Sequence, residues 1–173
     1  MRRSILTEKL ARRGHHISRE YSVDLFDVMR VAEVMDPHPP TVREDTSLGH
    51  LAAAIGRGEA IHLRRHGLLV LNDRDGLVGV ITRGDVFRAV QEGKEELRVG
   101  EIATGTPIVT YPNELLRDAT GKMLSANIGR LPVVDPAKPC RVIGYVGRAE
   151  LLRARLKHFR EENEREPGWL RVG

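Results

Sequence analysis

The sequence predicts a mixed α/β (α+β) protein in which two copies of a β-α-β-β-α unit pack about a pseudo-twofold axis, behind a basic N-terminal extension. Three observations carry this expectation: ordered self-similarity of the two halves, hydrophobic periodicities repeated in the same sequence, and length differences confined to connections. Val31-Ala32-Glu33-Val34-Met35 is echoed by Val99-Gly100-Glu101-Ile102-Ala103 at an offset of 68 residues. The same offset pairs Pro39 with Pro107, Leu48 with Leu116 and Ile55 with Met123. Leu69-Val70-Leu71-Asn72-Asp73 answers Leu131-Pro132-Val133-Val134-Asp135, and Gly79-Val80-Ile81-Thr82-Arg83-Gly84-Asp85 answers Gly144-Tyr145-Val146-Gly147-Arg148-Ala149-Glu150. The offset drifts to 62 and then 65, placing about six extra residues of the first copy around 57–65 and a longer turn of the second at 136–139. Duplicated folds tolerate length changes in such surface connections.

Each copy opens on a short strand, near Thr41-Val42 in the first and Ile108-Val109 in the second. A helix follows, with apolar residues at Leu48, Leu51, Ala52 and Ile55, or at Leu115, Leu116, Ala119 and Met123. Asp45 or Thr46 is expected to cap the first of these helices, and Pro112-Asn113 to open the second. Two strands come next, joined by Asp73-Arg74-Asp75-Gly76 or by Asp135-Pro136-Ala137-Lys138-Pro139. A closing helix starts at Thr82 or Gly147. The expected organisation is a basic linker over 1–27, copies over 28–95 and 96–160, and a charged extension over 161–173.

Composition bounds the function. The 173 residues include 40% hydrophobic and 30% charged side chains but only 4% aromatics, so the core must rest on Leu, Ile, Val and Ala. A single cysteine, Cys140, permits no internal disulfide, which fits a reducing, cytoplasmic setting. Residues 1–20 hold six cations and two anions, which accounts for the whole formal charge of +4. The body is neutral, so the basic tail suits an anionic membrane surface better than it describes a nucleic-acid groove. Nucleic-acid binding through that tail is kept as a rival reading.

The set Val34-Met35 with Pro39, Gly67-Leu68-Leu69-Val70 and Gly79-Val80-Ile81-Thr82-Arg83-Gly84-Asp85 resembles the CBS domain pair (Bateman module). In the second half the matching residues are Ile102, Pro107, Gly129-Arg130-Leu131-Pro132-Val133-Val134 and Gly144-Tyr145-Val146. The resemblance spans roughly 28–158 and implies a regulatory, ligand-sensing module that is not an enzyme and assembles as a homodimer. It also implies an adenine nucleotide (AMP, ADP or ATP) as ligand, with no metal. The implied site joins Thr82 and Asp85 to Thr106, Pro107, Ile108, Leu131 and Pro132. A weaker second site would join Glu150 and Arg148 to Pro40, Thr41 and Val42, because Gly147 replaces the hydroxyl residue and Glu150 the aspartate. The physics of the first site is a helix start, whose unpaired N–H groups and positive dipole end suit phosphate. Thr82-x-x-Asp85 is equally a capping box that needs no ligand.

The flank Ile5-Leu6-Thr7-Glu8-Lys9-Leu10-Ala11-Arg12-Arg13-Gly14 with Glu20-Tyr21-Ser22-Val23-Asp24 resembles the segment that leads into the CBS tail of prokaryotic ClC-type chloride channels. That implies a membrane channel domain joined in cis and a place at the cytoplasmic face. A stand-alone soluble adenylate sensor and a purely structural dimerisation tail are the alternatives. His62-x-x-x-His66 and His15-His16 read as solvated rather than metal-binding, and Cys140 as non-catalytic. No nucleophile elbow, phosphate loop or dinucleotide fingerprint occurs. The stripe at Leu152, Leu156 and Phe159 either packs on its own domain or forms a dimer seam, and Trp169 either hangs loose or docks on a partner.

Overall fold

The computed structural model describes residues 24–58, 67–103 and 105–165, with side chains to residue 161. The basic tail, the His15-His16 and His62/His66 pairs, Trp169 and most of the channel-like flank lie outside them. Two short helices, α1 (Leu25–Val28) and α2 (Val31–Val34), come first. The first copy continues with β1 (Thr41–Arg43), α3 (Leu48–Gly56), β2 (Gly67–Leu71), β3 (Leu77–Thr82) and α4 (Arg83–Gln91). The second has α5 (Val99–Ile102), α6 (Leu116–Ser125), β4 (Arg130–Asp135), β5 (Lys138–Gly147) and α7 (Arg148–Arg165).

In the first sheet β1 runs parallel to β2 and β2 antiparallel to β3, so Thr41 faces Leu69 and Gly67 faces Thr82. β4 and β5 form an antiparallel pair with register shifts at Val133/Val134 and Val134/Asp135. The expected opening strand of the second copy shrinks to one parallel bridge, Thr110 to Val133. Its backbone is committed elsewhere: the Lys122 ammonium takes the Val109 carbonyl at 3.0 Å.

Two aliphatic cores result. Leu48, Leu51, Ile55, Leu68, Val70, Ile81 and Val86 fill one; Leu116, Ala119, Met123, Leu131, Val133 and Val146 fill the other. The periodicity of the sequence could not say which short helix closes which core. Val31 of α2 is sealed into the second core, and Val99 of α5 into the first. The exchange is reciprocal in the backbone. Val31 N–H donates to the Glu114 carbonyl at 2.9 Å and Val99 N–H to that of Thr46 at 2.8 Å. Ala32 N–H reaches Pro112 and Gly100 N–H reaches Glu44, both at 2.9 Å. Leu116 N–H reaches Met29 and Leu48 N–H reaches Leu97, again at 2.9 Å. Every such pair obeys the 68-residue offset, which is the pseudo-twofold axis written in hydrogen bonds.

This exchange corrects both expected helix starts. The carbonyls of Asp45 and Thr46 receive the Arg98 guanidinium and the Val99 N–H, so the chain turns there and Ser47 caps α3, accepting from His50 N–H at 3.2 Å. The carbonyls of Pro112 and Asn113 receive Ala32 N–H and the Arg30 guanidinium, so α6 begins only at Leu116. Polar chemistry at these positions serves the partner copy before it serves its own helix.

The closing helix α7 buries Leu151 and Ala154 but leaves Leu152, Leu156 and Phe159 between 51 and 67% exposed. Its stripe therefore faces outward instead of packing on its own domain. No helix among the described residues is long and apolar enough to cross a membrane.

Because each core contains a wedge from the other copy, both should melt together. Leu48 and Leu116 are wholly buried, and each truncation to Ala is expected to cost about 2–5 kcal/mol through lost burial and the residual cavity. Circular dichroism during urea unfolding should show one transition shifted as a whole for Leu48→Ala and for Leu116→Ala. A split into two transitions would contradict the interlock.

Candidate functional site

The closing helix of the first copy starts where sequence placed it. Thr82 caps α4 with extended backbone (φ −101°, ψ 162°). Its hydroxyl accepts from Asp85 N–H at 3.2 Å and donates to Asp85 Oδ2 at 2.5 Å, while Thr82 N–H donates to the same Oδ2 at 2.9 Å. The capping box is complete. It leaves Asp85 Oδ1 toward solvent, 3.6 Å from Arg88, and the first N–H groups of α4 lie beside an exposed hydroxyl.

A cleft of about 480 Å³ opens beside this cap. Val80 and Thr82 form its first-copy wall. Thr106, Pro107 and Ile108 cross it, and Ala126–Arg130 with Pro132 close it from the second copy. Five of the seven residues assigned to the first site by sequence, Thr82, Thr106, Pro107, Ile108 and Pro132, thus share one cavity. Asp85 stands behind Thr82, bound to it. Leu131 is a correction: period two along β4 sends it into the second core at 0% exposure while Pro132 faces the cleft.

The wall 106–108 is fixed from behind. Thr110, fully buried, donates its hydroxyl to Glu114 at 2.7 Å, and Lys122 binds both Glu114 oxygens at 2.8 and 2.9 Å besides the Val109 carbonyl. The opposite wall is aimed by the end of α6. Asn127 adopts φ 52°, a left-handed conformation that asparagine tolerates, while Ile128 N–H returns to the Met123 carbonyl at 2.9 Å and Asn127 N–H to Leu124 at 3.2 Å. That Schellman-type stop turns Ile128, Gly129 and Arg130 into the cleft.

Arg130 was not singled out as a site residue by the sequence reading. It is the charged member of the described cleft lining. Burial pushes its guanidinium below the usual range, the nearby Tyr145 and Glu150 push it back up, and Arg148 adds to the lowering. Its signal was available: Arg130 precedes an apolar run, at the edge where a strand enters the core.

The residues assigned to the second site are dispersed. Pro40 is buried with its carbonyl accepting from Leu69 N–H at 2.9 Å; Thr41 is exposed on β1; Val42 packs on the first core. Glu150 is 2% exposed, and both its oxygens are engaged, one by Gly147 N–H at 3.0 Å and one by Arg153 at 2.7 Å. It borders a smaller hollow of about 170 Å³ with Met29, Glu33 and Lys157. Arg148 leans toward the first cleft, its Nε 3.5 Å from where a Cβ on Gly129 would sit. Residues 65 and 66, the counterparts of Asn127 and Ile128 at the 62-residue offset, lie outside the described residues. Among the described residues no three His, Cys, Asp or Glu side chains are grouped to hold a metal ion.

Comparison with known proteins agrees with the duplicated fold. The family model described as CBS domain matches residues 31–92 and 99–157. The chain is 35% identical over 109 residues to inosine-5'-monophosphate dehydrogenase of Mycobacterium leprae, covering 62% of this chain and 19% of that protein. It spans about a fifth of the length of the curated relatives it first matches. Among solved structures, the CBS domain pair of protein MJ0100 in complex with 5'-methylthioadenosine and S-adenosyl-L-methionine superposes with a TM-score of 0.62 at 25% identity, covering 75% of this chain and 98% of that one. CBSX2 in complex with AMP gives 0.62 at 27% identity, with the same two coverages of 75% and 98%.

The cap has a measurable energy of its own. Thr82→Ala is expected to lower unfolding stability by about 1 kcal/mol, and Thr82→Ser by much less, because only the alanine lacks an acceptor for Asp85 N–H. Equal losses in a urea titration would show that the threonine methyl, not the hydroxyl, matters.

Proposed function

Because the chain belongs to the CBS domain family, we propose that it is a regulatory module that senses an adenine nucleotide in the cleft between its copies and signals to an effector. The observation that carries the reading is the cleft: about 480 Å³, in the range of roughly 300–1,000 Å³ typical of small-molecule sites, and lined by residues of both copies. The apolar side chains of Val80, Ile108, Ile128 and Pro132 suit a flat base. The outward Asp85 Oδ1 suits ribose hydroxyls, which donate. The first amides of α4 suit phosphate. The AMP complex of CBSX2, the relative of 27% identity, supports the ligand class.

One nucleotide per chain is the expected stoichiometry. Glu150, the acid of the second site, is sealed into its own cap and bound to Arg153, so presenting it to a ribose would mean pulling a buried carboxylate off both partners.

The effector is read from the N-terminal flank, whose likeness to the segment before ClC-type CBS tails points to a channel or transporter domain in cis, at the cytoplasmic face of the membrane. The basic tail would then lie against anionic lipid. The stand-alone sensor is an alternative with its own support, since the chain covers 98% of the solved CBSX2 chain. In either setting the module acts as a homodimer through α7, whose Leu152, Leu156 and Phe159 form an exposed apolar stripe.

Calorimetric titration with AMP, ADP and ATP tests the ligand. Saturable micromolar binding at one site per chain, abolished by Asp85→Ala in a protein that still folds, is the expected result. Absence of heat and of thermal stabilisation with all three would leave Thr82 and Asp85 as a cap alone. For the dimer, sedimentation equilibrium of Leu156→Asp should give a monomer where the parent chain gives a dimer; a monomeric parent would remove the seam.

A further inference from the structure

We propose that Lys122 is a positioning residue of the cleft: without touching the ligand it fixes the spacing between Ile108 and Ile128, two apolar members of the lining, and so sets affinity for a flat ring. The inference rests on the nucleotide reading above and specifies which group outside the lining tunes that site. Lys122 is not among the described lining residues, yet it joins two of the walls. Its ammonium donates to the Val109 carbonyl at 3.0 Å, at the end of the strap that carries Thr106, Pro107 and Ile108. Its own carbonyl accepts from Ala126 N–H at 3.1 Å, where the wall of Ala126, Asn127 and Ile128 begins. One residue of α6 thus ties the strap to the opposite wall, within the second copy and independently of where the first copy lies.

The strap leans on this contact. Among the described residues, the hydrogen bond on the backbone of 105–109 is the one from Lys122. Sheet bonding begins only at Thr110, which meets Pro132 and Val134 at 3.0 and 3.1 Å. The ammonium is itself held: Glu114 takes it with both oxygens at 2.8 and 2.9 Å, and the Tyr111 ring lies 5.8 Å away. The Thr110 hydroxyl steadies Glu114 at 2.7 Å. The Lys122 and Glu114 side chains are 33% and 23% exposed, so both are more than half withdrawn from water and the clasp is firmer than a surface ion pair. The first copy lacks it. At the 68-residue offset Thr110, Glu114 and Lys122 correspond to Val42, Thr46 and Ala54, a set without charge. There the opening segment is instead a paired strand, Thr41–Arg43 on Leu69–Leu71. A charged clasp does for the second copy what a ladder does for the first. Holding the strap in place before ligand arrives removes the cost of ordering it on binding.

Calorimetry of the full chain with AMP and with adenosine, which share the ring that the strap would grip, tests this. Lys122→Met keeps the stem and removes the donor, and is expected to weaken both ligands by the same factor of about ten, the scale of one hydrogen bond. Lys122→Arg should restore most of the loss. Ile108→Ala should cost at least about twofold less in the Lys122→Met background than in the parent, because a loosened strap no longer holds Ile108 against the ring. A side chain that only stabilises the fold would lower the urea midpoint and leave both affinities unaltered. That result, or costs of Lys122→Met and Ile108→Ala that simply multiply, overturns the inference and leaves the nucleotide site standing. A loss confined to AMP would put Lys122 at the phosphate and overturn the spacing role. No binding of either ligand by the parent overturns both readings. Should Lys122→Met fail to fold, Glu114→Gln decides: it loosens the seat of the ammonium, and unchanged affinities there overturn the clasp.

Discussion

The structure depends on an exchange of short helices between two small cores. Neither copy is complete: the second core is closed by Val31, which precedes the first copy's strands, and the first by Val99, which precedes the second copy's. A unit of about 65 residues buries a modest share of its surface and sits near the limit of independent folding. Sharing wedges removes that weakness, since each core gains a fully buried valine and neither can open without releasing its wedge into the other. The wedges are held in register by backbone bonds. Arg30 and Arg98 each present their N–H to a glutamate three residues on, at 2.7 Å in both copies, and each sends its guanidinium to a carbonyl of the opposite copy.

The cleft is a consequence of that exchange. After α5 is anchored in the first core, the chain must reach Thr110, whose backbone bonds to Pro132 and Val134 in the second copy's β4. Residues 105–109 are therefore strung across the boundary between copies. Thr106, Pro107 and Ile108 face the cleft because the route offers them no core to enter, and Ile108 stays 45% exposed for the same reason. An isoleucine left this open forgoes the stabilisation that burial would give, which a flat ligand could supply. Pro107 helps to hold the strap extended, and the Lys122–Glu114–Thr110 cluster holds its far end. The cap at Thr82, by contrast, is local and would form in either copy alone.

Much of this was legible in the sequence, and what was not has a physical reason. The duplicated α+β architecture and the cap at Thr82 followed from repeats and motif positions, whereas the grouping of Thr82 with Thr106, Pro107 and Ile108 came only from the resemblance to the CBS pair. Misplaced caps at Asp45, Thr46 and Asn113 share one cause: a helix-capping pattern states local preference, while the carbonyls at those positions are claimed by the other copy's wedge. The second opening strand was overestimated because β-branched residues at 108–110 fit a ladder, whereas Lys122, thirteen residues along, takes the Val109 carbonyl that the ladder would use. Leu131 was misassigned through the period-two alternation of β4, and Arg130 escaped notice because its guanidinium lies against Gly67, a residue in the other copy.

The two copies are equal in fold and unequal in chemistry, and that inequality bears on signalling. A ligand seated against Thr82 on one side and Pro132, Ile128 and Arg130 on the other touches both copies, so its affinity depends on their relative placement. Any partner that prefers one placement is then coupled to the ligand by the same free energy, in both directions. Two equivalent clefts about the pseudo-twofold axis would brace the copies symmetrically. Here the Glu150 carboxylate is held by Gly147 and Arg153, while Asp85 Oδ1 has Arg88 beside it at 3.6 Å. In the proposed reading, occupancy of the cleft beside Thr82 shifts the balance between arrangements. Divergence of the second motif, from hydroxyl to Gly147 and from Asp to Glu150, thus leaves the two caps unequal in what they can offer a ligand.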